Sequence, residues 1–456
     1  MKTRQVFKAS PSSLGPQNLL HSSSTSLPLT FFDILWLRLP PVQRVFFYEF
    51  PHQPSLFYDT LLPKLKHSLS LALAYYFPLA GILTWPHDSN KPIIIYNFGD
   101  TLSLILAESD ADFNHLSGPD LCEASEVHHL VPELSISDDE ATVLALQVTL
   151  FPNHGFSIGV TSHHAVLDGK TSTSFIKSWA YLCNKLGDSS SSPCELAPEL
   201  SPFFDREIVG DPKGVEAKYL SDWLKQGGPN NRSLKVWNLQ VPQDSVRGLF
   251  KLSRSNIEKL KNFVGSRQKG NSNLHLSSFV VSLAYAWVCK TKAEETKSKK
   301  VGMAINVDCR NRLDPPLPPT YFGNCIGARI AVAETREFLD EDGGVVVAVE
   351  SLSSALETLK DGVLNEAETW SSLLLDGLHS DEEMKLTGAA GTPRFEVYGS
   401  DFGWGRPKKV EMVSIDRTGA ISLSDSRDGD GLEVGFVSSK PSMEAFASIF
   451  ANGLLL

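Results

Sequence analysis

The sequence has no long hydrophobic run. None of its 456 residues lie in a stretch of the about 18 consecutive apolar residues that would cross a bilayer. The N-terminal segment carries basic residues but no continuous apolar core, which disfavours a secretory signal. No internal repeat is present either. We therefore expect a protein without a membrane partner.

Cysteine is scarce and scattered, and no two cysteines have the C-x-x-C spacing. Because no cysteine pair or partnered histidine is present, the sequence predicts no metal site. Isolated thiols are typical of a reducing compartment, so the cysteines are expected to be reduced and the protein cytoplasmic. The cysteines are Cys122, Cys183, Cys194, Cys289, Cys309 and Cys325.

The chain also has fewer basic residues than acidic ones, 42 against 53. The net charge of −11 at pH 7 disfavours broad binding to nucleic acid or to anionic membranes. A few local lysines and arginines would still suffice for a small polyanionic ligand. With 42% hydrophobic and 21% charged residues, the composition is that of a globular protein.

What the sequence does have is length and alternating helix-like and strand-like segments. A chain of 456 residues exceeds one ordinary core, which predicts two domains. The alternation predicts an α/β fold with two sheets and flanking helices. We place an N-terminal domain at 1–185, a crossover linker at 186–235 and a C-terminal domain at 236–456. Within the C-terminal domain, part of the segment at about 370–400 is expected as a segment that can pack with the N-terminal domain.

Several elements can be placed from their patterns. The stretch "VQRVFFYEF" predicts a buried strand, whereas "KTSTSFIKSWAYLCNKL" carries its apolar residues on one helical stripe. We expect "LPLTFFDILWLRLP" to form an ordered loop packed on a core. A helical pattern covers 344–372, and "LSSFVVSLAYAWVCKTK" predicts another helix. The basic run at its end and beyond is interpreted as a solvated loop, the alternative being that one of its lysines contacts a CoA phosphate. These lysines are Lys290, Lys292, Lys297, Lys299 and Lys300.

The stretch "GFSIGVTSHHAVLDGKT" offers two candidate chemistries. Its first five residues match the G-x-S-x-G pattern of serine hydrolases, with Ser157 as the nucleophile. That pattern requires a sharp turn at the serine and a helix directly after it. Here Phe156, Ile158 and Val160 continue the alternation of a strand, and helix signals begin only later. Ser157 is therefore expected to be a strand residue.

His164 stands where the strand ends and a turn leads into a helix. Strand ends in α/β folds open onto ligand crevices, and an imidazole of pKa about 6.5 is suited to accept a proton. Asp168 lies across a tight turn that ends at Gly169. From the motif alone, catalysis by His164 competes with a surface histidine or a metal ligand.

Three further motifs narrow the choice. "NVDCR" at 306–310, "YFGNC" at 321–325 and "DFGWG" at 401–405 follow "HAVLDG" in this order. Together with "LPLTFFDILW" near the start, they make the chain resemble the plant BAHD acyl-CoA-dependent acyltransferases over nearly its whole length. "YFGNC" and "HHAVLDGK" are most similar to the branch that malonylates anthocyanin, flavonoid and other phenolic glucosides.

The resemblance implies two chloramphenicol-acetyltransferase-like domains, each a mixed sheet with helices, and an active-site channel at their interface. It implies malonyl-CoA, or another acyl-CoA, as co-substrate, with no permanently bound cofactor. His164 would act as general base on a sugar hydroxyl in a direct ternary-complex transfer. The partners would be the acyl-CoA and a phenolic glucoside, and the protein would be a monomer.

The resemblance also assigns supporting roles. Asp168 would pair with Arg310 as a buried structural ion and fix the His164 turn together with Gly169. In the "DFGWG" stretch, Asp401 would have a local hydrogen-bond role or, as the alternative, a direct catalytic one. The remainder of that motif, a structural part that shapes the CoA channel, comprises Phe402, Gly403, Trp404 and Gly405.

Three residues are candidates for binding acyl-CoA. Ser277 and Ser278 open a predicted helix whose hydroxyls and N–H groups could hold a CoA phosphate, the alternative being a simple N-cap. Lys170, beside the turn, is a candidate partner for the malonyl carboxylate from its position alone. The sequence leaves open a hydroxycinnamoyl-CoA donor and a non-catalytic ligand-binding relative.

Overall fold

The computed structural model describes residues 1–13, 24–186, 195–267, 274–340, 343–377 and 383–455. Cys194 lies outside these residues, whereas the other cysteines are buried and free. The strands are β1 Lys2–Ala9, β2 Ser24–Pro28, β3 Val42–Glu49, β4 Ile82–Thr84, β5 Ile93–Asn97, β6 Leu102–Glu108, β7 Cys122–Glu123, β8 Glu140–Thr142, β9 Leu144–Phe151, β10 Gly155–Ser162, β11 Ser245–Leu252, β12 Lys300–Asp308, β13 Ile326–Glu334, β14 Met384–Ala390, β15 Lys409–Met412, β16 Ile421–Asp425 and β17 Leu432–Ser439.

Helices alternate with these strands along the chain. They are α1 Phe31–Ile34, α2 Pro54–Leu56, α3 Leu62–Tyr75, α4 Phe113–Ser117, α5 Ala124–His128, α6 Gly169–Lys185, α7 Val215–Lys225, α8 Arg254–Arg267, α9 Ser278–Ala293, α10 Thr335–Phe338, α11 Gly344–Glu357, α12 Trp370–Gly377, α13 Ile415–Thr418 and α14 Lys440–Asn452. A π-helical turn at Phe57–Leu61 and several short 3₁₀ turns complete the described elements.

Two large mixed sheets organise the molecule, which confirms the predicted α/β class. One has the strand order β1-β6-β9-β10-β3-β15 and the other β13-β12-β14-β16-β17-β11-β7, while β2, β5, β4 and β8 form a smaller sheet. In the first sheet β9 and β10 are central, and every residue of both strands is buried. A strand covered on both faces has to be apolar or small at each position, as "GFSIGVTS" is.

The two large sheets exchange strands between the halves of the chain. Strand β15 pairs antiparallel with β3, so a C-terminal strand closes the edge of the N-terminal sheet. In return β7 pairs with β11 at the edge of the C-terminal sheet. Both exchanges pair a segment before the predicted linker with a segment after it. The domain boundaries at 185 and 235 stay a prediction.

Three local expectations were wrong. The stretch at 31–34 forms the short buried helix α1, because Thr30 and Asp33 make a capping box. The predicted helix over 344–372 is interrupted after α11 by 3₁₀ turns and by Gly362 at φ 110°. Lys290 does not lie on a solvated loop, since it is buried within α9 with its ammonium 2.5 Å from Glu294.

The predicted linker contains a helix that its local composition did not reveal. Helix α7 buries Tyr219 and Trp223, and the Trp223 indole N–H donates to the carbonyl of Ile34 at 2.7 Å. This segment therefore packs against the short helix α1, which carries residues of the candidate site.

Candidate active site

His164 lies on a short turn between the central strand β10 and helix α6. The amide N–H of Val166 donates to the carbonyl of His163 at 3.0 Å, which bends the chain directly after the strand. The half-buried His164 ring stacks on the indole of Trp36, with centroids 4.5 Å apart and planes inclined by 8°. Its Nδ1 is buried and makes no hydrogen bond of good geometry to the described residues.

The two adjacent histidines have different environments. His163 is fully buried, and its Nδ1 accepts the N–H of Ala165 at 3.2 Å. Burial lowers the pKa of His163 to about 3, so this ring is neutral and structural. Burial also lowers the pKa of His164, opposed in part by its own backbone and by the charge of Asp168. A neutral imidazole at physiological pH is the form that accepts a proton.

The carboxylate of Asp168 stabilises the turn that carries His164. As the N-cap of α6, its Oδ1 accepts the N–H of Thr171 at 2.8 Å. Its Oδ2 lies 2.7 Å from the guanidinium of Arg310 and accepts the N–H of Cys325 at 3.2 Å. The predicted ion pair with Arg310 is present, and both carboxylate oxygens have partners within the scaffold. No contact between this carboxylate and the His164 ring occurs among the described side chains.

Arg310 joins the turn to the second half of the chain. Its Nη2 donates to the carbonyl of Gly323 at 2.9 Å and to the hydroxyl of Thr171 at 3.2 Å, while Nη1 donates to Asp308 at 3.1 Å. The side chains of Arg310 and Asp168 are only 2% and 1% exposed, respectively. At such depth the pair fixes the distance between the "HAVLDG" and "YFGNC" stretches.

A second buried network holds the other side of His164, and the sequence analysis did not single out its members. Asn324 donates through Nδ2 to the His164 carbonyl at 2.9 Å and to Asp33 at 3.1 Å. Asp33 also bonds to the guanidinium of Arg206, which comes from the predicted linker. Asp33 and Asn324 do lie in the quoted stretches "LPLTFFDILW" and "YFGNC", but nothing local indicates that they meet.

Gly169 and Lys170 begin α6. A Cβ at Gly169 would lie 2.6 Å from the ring of Phe395, so glycine is needed for the close approach of the C-terminal segment. The Lys170 ammonium lies 3.3 Å from the carboxylate of Asp308, which also pairs with Arg310. The predicted role of Lys170 toward an acyl-CoA stays a prediction, and its charge is already shared with Asp308.

The "DFGWG" segment forms a tight turn held by its own aspartate. The Oδ1 of Asp401 accepts the N–H groups of Gly403 and Gly405 at 2.8 and 3.0 Å. Both glycines have φ of 98°, a conformation that favours glycine. Phe402 is buried edge-on against Tyr48 and Trp179, and Lys64 lies over the partly buried Trp404 ring. These contacts fit the predicted local role of Asp401.

The structure places the other CoA-binding candidates at a helix start. Ser277 is the N-cap of α9, and its side chain accepts the N–H of Val280 at 3.2 Å. Ser278 is the first helical residue and is half-buried. The simple capping role weighed for Ser277 is therefore present, while a contact with CoA stays a prediction. Ser157 lies within β10, opposite Phe47 and Thr149, and not on a sharp turn before a helix.

Two crevices border this region. One lies beside α6 and is lined by Tyr76, Lys170, Glu199 and Tyr321, among others. The other lies where the two large sheets meet, and it is lined by Arg44 of β3, Leu249 of β11, Ser422 of β16 and the loop residues Thr392 and Phe395. Because Phe395 also packs on Gly169, this second crevice begins beside the candidate catalytic turn.

The described part of the chain holds no group of three or more His, Cys, Asp or Glu side chains arranged to bind a metal ion. Nor does any helix within the described ranges have both the length and the apolar character needed to cross a membrane.

Comparisons with known proteins agree with this architecture. The model described as the transferase family matches residues 16–452. The chain is 42% identical over 95% of its length to the malonyl-CoA:anthocyanidin 5-O-glucoside-6''-O-malonyltransferase of Arabidopsis thaliana, covering 95% of that protein. It is 40% identical to phenolic glucoside malonyltransferase 1 of the same plant, with 96% of each chain covered. The crystal structure of vinorine synthase matches with a TM-score of 0.70 at 21% identity, covering 97% of this chain and 96% of that one.

The two-sheet fold is shared with vinorine synthase, and His164 lies on the turn between β10 and α6. The chain belongs to the transferase family of BAHD acyl-CoA-dependent acyltransferases, as its ordered motifs predicted.

Proposed function

We propose that the protein transfers a malonyl group from malonyl-CoA to a sugar hydroxyl of a phenolic or flavonoid glucoside. The observation that carries this proposal is the neutral, Trp36-stacked His164, held on its turn by the Asp168–Arg310 pair. Both relatives are named as malonyltransferases of glucosides, and the name of one specifies malonyl-CoA, which supports the choice of substrates.

In the proposed reaction both substrates bind before chemistry begins. His164 accepts the proton of the sugar hydroxyl while its oxygen bonds to the thioester carbonyl carbon. The C–S bond then breaks, and the departing CoA sulfur takes the proton from His164. Base assistance of this kind contributes about 10²- to 10⁴-fold, and alignment of the two substrates supplies much of the remainder. A thioester is already activated, so the step needs no enzyme nucleophile.

The supporting residues would act through the scaffold. Asp168, Gly169 and Arg310 would position the turn, whereas the Asp401 turn would shape the path of the CoA. Ser277, Ser278 and Lys170 remain candidates for contact with the acyl-CoA. The free, buried thiols of the described residues support a cytoplasmic location. We propose a monomer, which a sedimentation measurement would test.

The decisive experiment is a donor competition. The purified protein is incubated with equal concentrations of malonyl-CoA and coumaroyl-CoA and a panel of flavonoid and simple phenolic glucosides. We expect products heavier by one malonyl group. Predominant coumaroyl products would establish the hydroxycinnamoyl alternative. Absence of CoA thiol release with every donor and acceptor would overturn the enzymatic proposal in favour of a non-catalytic ligand-binding relative.

A further inference from the structure

Arg44 is an unusual buried arginine. It lies on β3 opposite Val160 of β10, with 6% of its surface exposed. Its Nη1 donates to the hydroxyl of Thr173 on α6 at 2.9 Å. No carboxylate of the described residues lies within 4.0 Å of its nitrogens, and no other hydrogen bond of this side chain is present in that part of the chain.

Each of the other buried arginines within the described ranges has an acidic partner or several hydrogen bonds, although Nε and Nη2 of Arg206 and Nε of Arg310 make none. Arg247 pairs with Glu411 and Asp416, and Arg310 and Arg206 each have a buried aspartate. Arg38 donates to three backbone carbonyls, and Arg329 donates to a hydroxyl and several carbonyls. A buried cation without such partners is costly, which indicates that Arg44 has a partner of another origin.

Arg44 lines the crevice between the two large sheets. Its cavity volume is about 20 Å³, a little more than a water molecule needs, and it opens to solvent. Three hydroxyl-bearing side chains, those of Thr392, Ser422 and Ser424, line it as well. A guanidinium together with hydroxyl donors is the set of groups that a carboxylate prefers.

The charge of Arg44 is available to a ligand. The nearest acidic influence is Asp425, whose carboxylate accepts the N–H groups of Val397 and Tyr398 at 2.8 and 3.4 Å. Burial lowers the pKa of Arg44 to about 10, countered in part by Asp425, so the guanidinium stays protonated at neutral pH.

The crevice is also within reach of the candidate catalytic turn. Thr173, the hydrogen-bond partner of Arg44, lies on the first turns of α6, which Asp168 caps. Val160, opposite Arg44, precedes His164 by four residues, or at most about 13 Å of extended chain. A long arginine side chain and a short acyl group together span such a distance.

We propose that Arg44 binds the terminal carboxylate of a malonyl-type CoA thioester and thereby sets the donor preference. This inference rests on the proposed malonyl transfer and names the residue that selects the acyl group. It assigns to Arg44 the role for which position alone had suggested Lys170. The Lys170 ammonium already lies beside Asp308 and lines the other crevice.

The test compares two donors within a single variant. Wild type and Arg44→Gln are assayed with malonyl-CoA and with acetyl-CoA, which has the same thioester but no carboxylate, on one glucoside acceptor. We expect Arg44→Gln to lower kcat/KM for malonyl-CoA by roughly 100-fold, because a buried charge pair is lost. The acetyl-CoA value should change by less than about 3-fold. Since both values come from the same protein, their ratio is independent of the folded fraction.

A second variant covers the case in which Arg44→Gln does not fold. Arg44→Lys keeps the positive charge but loses the planar fork, so the malonyl-to-acetyl ratio should fall by roughly 10-fold. An unchanged ratio in the folded variant would overturn the inference while leaving malonyl transfer by the wild type intact. An equal loss with both donors would overturn it as well. If the wild type itself used neither donor, the proposed function would fail instead.

Discussion

Asp168 and Arg310 are joined by a buried ion pair of 2.7 Å that links the start of helix α6 to the segment directly after strand β12. The same aspartate caps α6 and the same arginine binds the carbonyl of Gly323. The pair therefore fixes the position of the His164 turn relative to the C-terminal half. Loss of either residue should therefore disrupt the site, even though neither residue needs to contact a substrate.

Asp168→Ala should destabilise the protein by about 3–5 kcal/mol, because it strands the buried charge of Arg310 and removes a helix cap. Urea unfolding measures this change. Glu357→Ala, which removes one partner of the exposed pair with Lys360, is the matched control and should leave the free energy of unfolding nearly unchanged. A stable Asp168→Ala protein without activity would instead indicate a chemical role for the aspartate.

The candidate catalytic turn could be predicted from sequence because its signals are local. The alternation through Ser157 ends at His163, and Asp168 and Gly169 start a helix within a few residues. The family resemblance then implied the pairing of Asp168 with Arg310, although the two lie far apart in the chain.

The residues around the turn could not be found in this way. Trp36, Asp33 and Asn324 meet His164 only through tertiary contacts between distant segments. Arg44 gave no signal either, because a charged residue in an apolar strand pattern is usually assigned to its exposed face. Such contacts depend on how the sheets pack, which no local pattern specifies.

Trp36 should position the imidazole of His164 by stacking. Trp36→Phe keeps a flat ring at this place and should retain most of the activity. Trp36→Leu keeps an apolar side chain but removes the flat surface, so kcat should fall by at least about 10-fold with little change in KM. Steady-state kinetics on both variants test this expectation. Equal activity of the two variants would show that the ring only fills space.

Asp401 should act through the backbone of its own turn. Asp401→Asn retains an oxygen that can accept the N–H groups of Gly403 and Gly405, so activity should stay within about 3-fold. Asp401→Ala removes this partner from both exposed groups and should destabilise the protein by about 0.5–1.5 kcal/mol. Thermal unfolding and turnover are measured together. Loss of activity in Asp401→Asn at unchanged stability would favour the direct catalytic alternative.

The pH dependence of turnover should report the environment of His164. Burial lowers the pKa of this imidazole, so the neutral form that accepts a proton persists at lower pH than in water. The acid limb of the kcat/KM profile should therefore have its midpoint below about 6.5, the ordinary histidine value. His164→Ala should lower kcat by about 10²- to 10⁴-fold and abolish this limb. His87→Ala, at an exposed histidine in a turn, should change neither quantity. A midpoint above 6.5 in the wild type, or an acid limb that survives in His164→Ala, would assign the titrating base to another group.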